Sequence, residues 1–573
     1  MNDPLTITTE RVDDIPLLLA QMQRMGLACL LDAHFPTHGN RQGVSLGMVT
    51  IIWLTHVLSQ ADHRMNRVQR WAERRLETLQ ACSDATLEVR DLDDDRLADV
   101  LRHLSDDERW RAFEQELTGH LVRVYDLHTD CVRLDSTTVS SYGVVSEDGL
   151  LQLGHSKDHR PDLPQLKVML ATLDPLGMPL ATEVLSGERA DDPLYLPAIA
   201  RVRASLNTVG LLYVGDCKMA ALDTRVSIQA AGDYYLCPLS ALQVPPERLA
   251  QQLVALRESS QPLLTVERTG ADGQTHCIAQ GYEDCETITA QLEEVSYTWT
   301  ERRLLVRSEA AARAAETALR ARLRQAQAAV ANLVVRRQGK PMLADRAGVE
   351  QAVIETVAHF RVEGLLAVTV SEQVTAQPVR AYRDRPATIR TARQFSISSE
   401  VKPHTLASAI EQLGWRVYAT NQAADGLSLV QAVEAYRDEY LVERNFGRLK
   451  GHPLSLSPMY VERDDHATGL VRLLSIALRV LSLMEFVVRR QLAQEGAALA
   501  GLYVGNPKRA TTHPSTERLL EAFQEITLTL VIEPQQTRRH LTALSPLQQR
   551  VLALFEFTPT IYTKLCGDSS EPP

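Results

Sequence analysis

Residues 131 to 216 constrain the fold most. Cys131-Val-Arg-Leu-Asp135-Ser-Thr-Thr-Val is a short β-rich run. Lys167-Val-Met-Leu-Ala-Thr-Leu is a second, closed by the turn residues Asp174-Pro-Leu-Gly177, and Pro179 to Leu185 is a third. Together they read as an antiparallel meander. A helix is expected over Leu194 to Ser205. Leu211-Leu-Tyr-Val214 is then apolar on both faces and runs into Gly215-Asp216, as a buried parallel strand does.

Three strands, a helix and a buried strand form the opening of a ribonuclease H-like fold. The fold class expected is therefore α/β: a ribonuclease H-like core split by a large mixed α/β insertion, with a helical N-terminal domain and a helical C-terminal region. A chain of 573 residues is too long for one core and accommodates several domains. Residues 1–125 are helical in pattern. Residues 126–225 form the first part of the core, 226–405 an insertion with its own strands and an Ala- and Arg-rich helix, and 406–495 the second part of the core. Residues 496–573 read as helical pieces.

Charge is unevenly spread. The net charge of −11 argues against a protein coated with basic surface, so local stripes carry the information. Met65 to Leu79 brings Arg67, Arg70, Arg74 and Arg75. Residues 301 to 340 hold ten Arg or Lys against three Glu. Each stretch reads either as a phosphate-facing surface or as a solvated helix face. The aspartates at 91 and 93–95 stand just before a helical pattern and read as N-terminal helix charges.

Several classes are disfavoured. Eight scattered cysteines include no Cys-x-x-Cys pair, which points away from zinc and disulfide frameworks and towards a reducing compartment. Met-Asn-Asp-Pro-Leu has no secretory pattern. Leu470 to Val488 is the most apolar helix, but Arg472, Arg479 and Glu485 make it a core helix and not a bilayer span. A soluble intracellular chain without a membrane partner is expected.

Tyr436 to Lys450 reads as one helix. Its charges suit a plain solvated helix poorly: Glu439 with Glu443, and Arg444 with Arg448, are like charges at i,i+4. Three acids then stand out, Asp135 and Asp216 at strand ends and Glu443 in the helix. Each alone reads equally as a cap or turn residue. In the order strand-Asp, strand-Asp, helix-Glu they can converge on one sheet edge. Three acids suffice for two Mg²⁺ ions bridged by substrate phosphate, because Mg²⁺ takes few direct carboxylates.

At these residues the chain resembles the bacterial insertion-sequence DDE transposases with a Tyr-Arg-Glu-Lys signature, in the subgroup with a β-rich insertion. The signature falls on Tyr436, Glu439, Glu443 and Lys450, with Glu439 at the family's Arg position. Leu134-Asp-Ser-Thr-Thr with Tyr142-Gly143, Ser156-Lys-Asp-His-Arg-Pro-Asp-Leu163 and Gly215-Asp216 are similar to other family motifs. The resemblance implies metal-dependent cleavage at the terminal inverted repeats of a mobile element and strand transfer into target DNA. It implies Asp135, Asp216 and Glu443 as catalytic metal ligands for two Mg²⁺, with Mn²⁺ able to substitute.

The same resemblance implies Tyr436, Lys450, Arg444, Lys157, Arg160 and Trp415 as DNA contacts. Trp415 reads more readily as a core aromatic, since large aromatics on strands usually pack there, and Lys157 and Arg160 read also as a solvated loop. Residues 1–125 become a DNA-end-binding domain. The partners implied are double-stranded DNA and a second copy of the chain in a synaptic dimer, in a bacterial cytoplasm and on the nucleoid when bound. A structure-specific nuclease without strand transfer and a transposase-derived DNA-binding protein are the alternatives.

Overall fold

The computed structural model describes residues 6–39, 42–259, 261–269, 273–335, 343, 345–379, 388–533 and 536–567. Its contacts divide the chain into two compact units. One holds Met1–Cys237, Ile288–Trp299 and Ala435–Pro573; the other holds Pro238–Thr287 and Thr300–Glu434.

The first unit is mixed α/β. Strands β1 (Cys131–Ser140), β2 (Gln165–Leu173) and β3 (Met178–Ser186) form the expected antiparallel meander. Strands β4 (Leu212–Gly215) and β5 (Tyr234–Pro238) continue the sheet on the far side of β1, in the order β3-β2-β1-β4-β5. Strand β4 runs parallel to both β1 and β5, and its four residues are all buried, which matches an apolar run with no polar alternation.

The N-terminal part of this unit includes helices α1 (Leu46–Gln60), α2 (Met65–Glu73) and α3 (Asp107–Tyr125). Helix α4 (Tyr195–Leu206) connects β3 to β4. Asp93 caps the Asp94–Leu104 helix through the backbone N–H of Arg96, while Asp94 and Asp95 lie in its first turn, as the acidic run predicts. The long C-terminal helix, Asp464–Glu495, is buried from Leu470 to Glu485 without a break. Gly469 lets it close on the Asp94–Leu104 helix, since a Cβ there would stand 2.2 Å from the Leu101 carbonyl oxygen. The three charges within this buried stretch are all paired: Arg472 with Asp107, Arg479 with Glu114, and Glu485 with Arg444 and Arg448. Pairing is what permits charge at such depth.

One expectation needs correction. The ends of the chain are not purely helical: Thr6–Arg11 pairs antiparallel with Thr527–Glu533, which pairs in turn with Gln536–Leu541. Alternating Thr and apolar residues favour this sheet, and short strands of that kind are hidden among helical patterns on either side. The N-terminal helices are grouped in the same compact unit as β1 to β5.

The second unit contains strand segments of a larger sheet and a separate two-stranded ribbon, with Ile288–Trp299 counted in the first unit. Leu264–Thr269, Thr275–Leu292, Val295–Ser308 and Trp415–Thr420 lie side by side, while Leu366–Val379 and Thr388–Val401 form a two-stranded ribbon. Leu319, Leu323 and Ala326, spaced along one face of the Glu309–Ala331 helix, bury against Val362, Leu365 and Leu366. This unit includes Trp415–Thr420, which pairs antiparallel with Val295–Ser308.

Candidate active site

Parallel pairing of β1 and β4 sets Leu134 beside Gly215, so Asp135 and Asp216 follow as neighbours on adjacent strands. Such strands lie about 4.8 Å apart, close enough for two carboxylates to oppose each other directly. Asp216 stands just past the end of β4. Its Oδ1 accepts the backbone N–H of Lys218 at 2.8 Å, a local turn that fixes the rotamer, and the hydroxyl of buried Tyr195 at 2.6 Å. Asp135 Oδ1 accepts the N–H of Ser136 at 2.7 Å, and Lys157 Nζ stands 3.6 Å from it. Among the described residues, the second oxygen of each carboxylate accepts no hydrogen bond.

Arg133, Leu134, Asp135, Val214, Gly215, Asp216, Tyr436, Glu439 and Val442 line one small cavity. The electrostatics follow from that crowding. Burial first, then the charges of Asp216 and Glu439, push the Asp135 carboxyl up to about 6, against the pull of Lys157 and the Ser136 N–H. Burial, with Asp216 and Asp135 nearby, drives the Tyr195 hydroxyl well above its usual range, so it remains a hydrogen-bond donor.

The two lysines singled out by sequence anchor to the same strand. Lys157 Nζ donates to the Ser136 carbonyl at 2.6 Å and to its hydroxyl at 3.1 Å. Lys450 Nζ donates to Thr137 Oγ1 at 2.9 Å and to Asp158 Oδ1 at 2.6 Å. Arg160 is held by Asp162 at 2.8 Å. Arg444 is committed to Glu485, in a cluster that also includes Arg448 and Glu517.

The segment from Tyr436 to Lys450 is not one helix. Helix α5 (Leu429–Arg437) ends, and α6 (Tyr440–Lys450) begins after a turn at Asp438 and Glu439. The break gives the ill-matched charges a reason. Glu439 becomes the N-cap of α6 and Glu443 joins its first turn, while Arg448 and Lys450 occupy its last turn. Acids at the positive end and cations at the negative end of the helix dipole are favourable by about 0.3–1 kcal/mol each. The break also changes which acid meets the aspartates. Glu439 lines their cavity and acts on Asp135, whereas Glu443 is exposed on α6 and does not line it.

Trp415 lies in the second unit, stacked on Tyr282 at 6.0 Å between ring centroids and packed against the Leu253, Leu305 and Val417 cluster. The basic surplus at 301–340 is partly spent inside that unit. Arg302 pairs with Glu283, Arg303 with Glu286 and Glu301, and Arg320 with Glu316. Arg336, Arg337 and Lys340 lie outside the described residues.

Sequence reading assigns no role to Arg133, Tyr195 or Tyr460, and quotes Tyr142 only as part of a motif. Arg133 binds Asp174 and donates to the Ala435 carbonyl at 2.7 Å, which ties the start of the acid-bearing segment to β1. A charge inside the apolar run Cys-Val-Arg-Leu was its only signal. Tyr195 gave none. Tyr142 and Tyr460 stack at 5.2 Å while remaining 52% and 73% exposed, an open aromatic pair beyond the end of β1.

The donor set fits a hard divalent cation. Two carboxylates each keep one oxygen unused, and like-charge crowding at Asp135 is relieved by a cation. Among the described residues no cluster of three or more His, Cys, Asp or Glu forms a ready-made metal cage. Mg²⁺ is ordinarily held by one or two carboxylates with substrate phosphate and water, so two aspartates meet its needs. Among the described residues no helix is long and apolar enough to cross a membrane.

No family model and no curated protein matches the chain. Among solved structures, the cryo-EM structure of piggyBac transposase in a synaptic complex with hairpin DNA is similar at 8% identity, with 97% of this chain and 86% of that chain covered and a TM-score of 0.36.

Proposed function

We propose that the chain is a transposase with a ribonuclease H-like core, acting on the terminal inverted repeats of an insertion sequence by cleavage and strand transfer. The observation that carries the reading is the Asp135/Asp216 pair on adjacent parallel strands, each with one oxygen tied down and one left open. Asp135 and Asp216 would hold Mg²⁺, or Mn²⁺ in its place, with Glu439 or Glu443 as the third acid. The ions would supply activation of the attacking hydroxyl and charge stabilisation at the leaving oxygen.

The chain's residues do the rest. Tyr195 and the Lys218 N–H keep Asp216 in one rotamer, so the open oxygen is presented in a fixed direction. Lys157 and Lys450, pinned along residues 136–137 of β1, place two ammonium groups beside the acids where a phosphodiester would lie. Tyr436 borders the same cavity and is suited to a backbone contact. No external energy source is required, since strand transfer exchanges one phosphodiester for another.

The test is cleavage and joining of a duplex carrying the element's own end. Asp135→Asn and Asp216→Asn should each abolish Mg²⁺-dependent cleavage and leave end binding largely intact. Glu439→Gln and Glu443→Gln identify the third acid, since only one should match the aspartate variants. Normal cleavage by either aspartate variant would remove the pair from the chemistry. Cleaved but never joined product would make the chain a nuclease.

A further inference from the structure

Strand β1 carries a second residue that bears on the acid site. Arg133 stands two positions before Asp135, and alternation along a strand sets both side chains on one face. Its guanidinium is buried. Nε donates to the two carboxylate oxygens of Asp174 at 3.0 Å, and Nη2 pairs with the same carboxylate. Nη2 also donates to the Ala435 carbonyl at 2.7 Å. Arg133, Asp135 and Glu439 line one cavity. Nη1 is buried and has no hydrogen-bond partner among the described residues, although such donors are rarely left orphaned.

The Ala435 carbonyl decides how the acids are presented. In an unbroken α-helix it would accept the N–H of Glu439, four residues on. Here the Glu439 N–H donates to the Tyr436 carbonyl at 3.2 Å, three residues back, and Arg133 occupies the Ala435 carbonyl. An α-type bond is made again by the Glu443 N–H on the Glu439 carbonyl at 3.3 Å. Arg133 thus replaces the donor that would have carried α5 onward. A charge-assisted bond of this kind is roughly twice as strong as the neutral one it replaces. The exchange parts two acids that an unbroken helix would stack on one face at i,i+4. Glu439 lines the cavity of Asp135 and Asp216, while Glu443 is exposed outside it.

We infer that Arg133 is a positioning residue for the metal site: by holding the Ala435 carbonyl it breaks the helix and turns Glu439, in place of Glu443, towards the cation that Asp135 and Asp216 would bind. The inference rests on the metal site of the proposed function and names what shapes it. Mg²⁺ keeps several of its waters. A carboxylate lining the cavity therefore serves by accepting hydrogen bonds from the hydrated ion, without closing a cage with the two aspartates. Asp174 follows directly on β2 and holds the guanidinium from the other side, so the register of β1 against β2 sets Asp135 and the helix break together.

The experiment titrates Mn²⁺ against the full chain without DNA, following free Mn²⁺ by its EPR signal. Arg133→Lys keeps a charge for Asp174 but lacks the fork that reaches Ala435 at the same time. It should weaken Mn²⁺ binding by about 10–100-fold, the usual cost of losing a residue that orients a metal site. Glu439→Gln should cost as much, and the two together no more than either alone. The loss in Glu443→Gln should be the smaller. Additive losses, or normal affinity in a folded Arg133→Lys chain, would overturn the inference, as would a Glu443→Gln loss that equals or exceeds the Glu439→Gln loss. Should the Lys variant melt early, Asp174→Asn replaces it in the same cycle, because it slackens the guanidinium without removing it. Its loss must vanish in the Glu439→Gln background, and an additive loss there overturns the inference. Mn²⁺ affinity that survives Asp135→Asn removes the metal site itself and the inference with it. The expected Mn²⁺ results with no cleavage of an element end support the positioning role and strike the transposase reading alone.

Discussion

At Asp135, burial, Asp216 and Glu439 all oppose the charge, and the carboxyl titrates at about 6 where an unfolded chain has 3.8. Between those values the folded state binds more protons than the unfolded state. The stabilising contribution of the protonated group is therefore full below 3.8 and is lost as pH rises through 6. Asp135→Asn should raise the melting temperature at pH 7 in EDTA and change it little at pH 3.5; equal effects at both would remove the repulsion from the site. Cation binding needs the carboxylate, so Mg²⁺-dependent cleavage should weaken as pH falls through 6. Tyr195→Phe tests the neighbour. Removing the 2.6 Å hydrogen bond frees Asp216 to rotate, and the Mg²⁺ concentration for half-maximal cleavage should rise by about 10–100-fold with duplex binding retained.

At the scale of elements, buried ion pairs join the long helix to its surroundings. Arg479 is wholly buried against Glu114, which also receives Arg201. Arg479→Met should cost roughly 3–5 kcal/mol by urea denaturation, because it leaves Glu114 short of one partner; a loss under about 1 kcal/mol would mean that Arg201 suffices. The existence of this helix was legible in its apolar run, and its three charges rightly marked it as a core element. The meander and the buried strand were equally legible, since periodicity and turn residues report local structure. The break at Asp438 and Glu439 was not, because no Gly or Pro marks it and helical spacing continues across it. Its cause is the dipole preference of the charges on either side together with packing around β1, which involves residues three hundred positions away. The same limit hid Tyr195, whose role depends on where α4 sets its ring relative to β4. Asp216 stands just past a strand end as expected, but Asp135 lies in the middle of β1, because the strand continues to Ser140, and only register showed the two to be neighbours.

At the scale of the whole molecule, the first unit is assembled from three separated stretches of chain, and its terminal sheet joins Thr6–Arg11 to Thr527–Glu533. Ending the chain before residue 527 should lower the melting temperature of the whole chain and expose the N-terminal strand to proteases; a truncated chain that melts like the complete one would make this sheet ornamental. The pairing also bears on how the protein is made. Ribosomes add about 5–20 residues per second, so Thr6–Arg11 waits on the order of half a minute or more before its partner emerges. During that interval the sheet edge is open to other chains, and crowded translation of one message would favour exchange of this strand between neighbours. Newly made copies thus have a physical route to entanglement that closes only when synthesis is nearly finished.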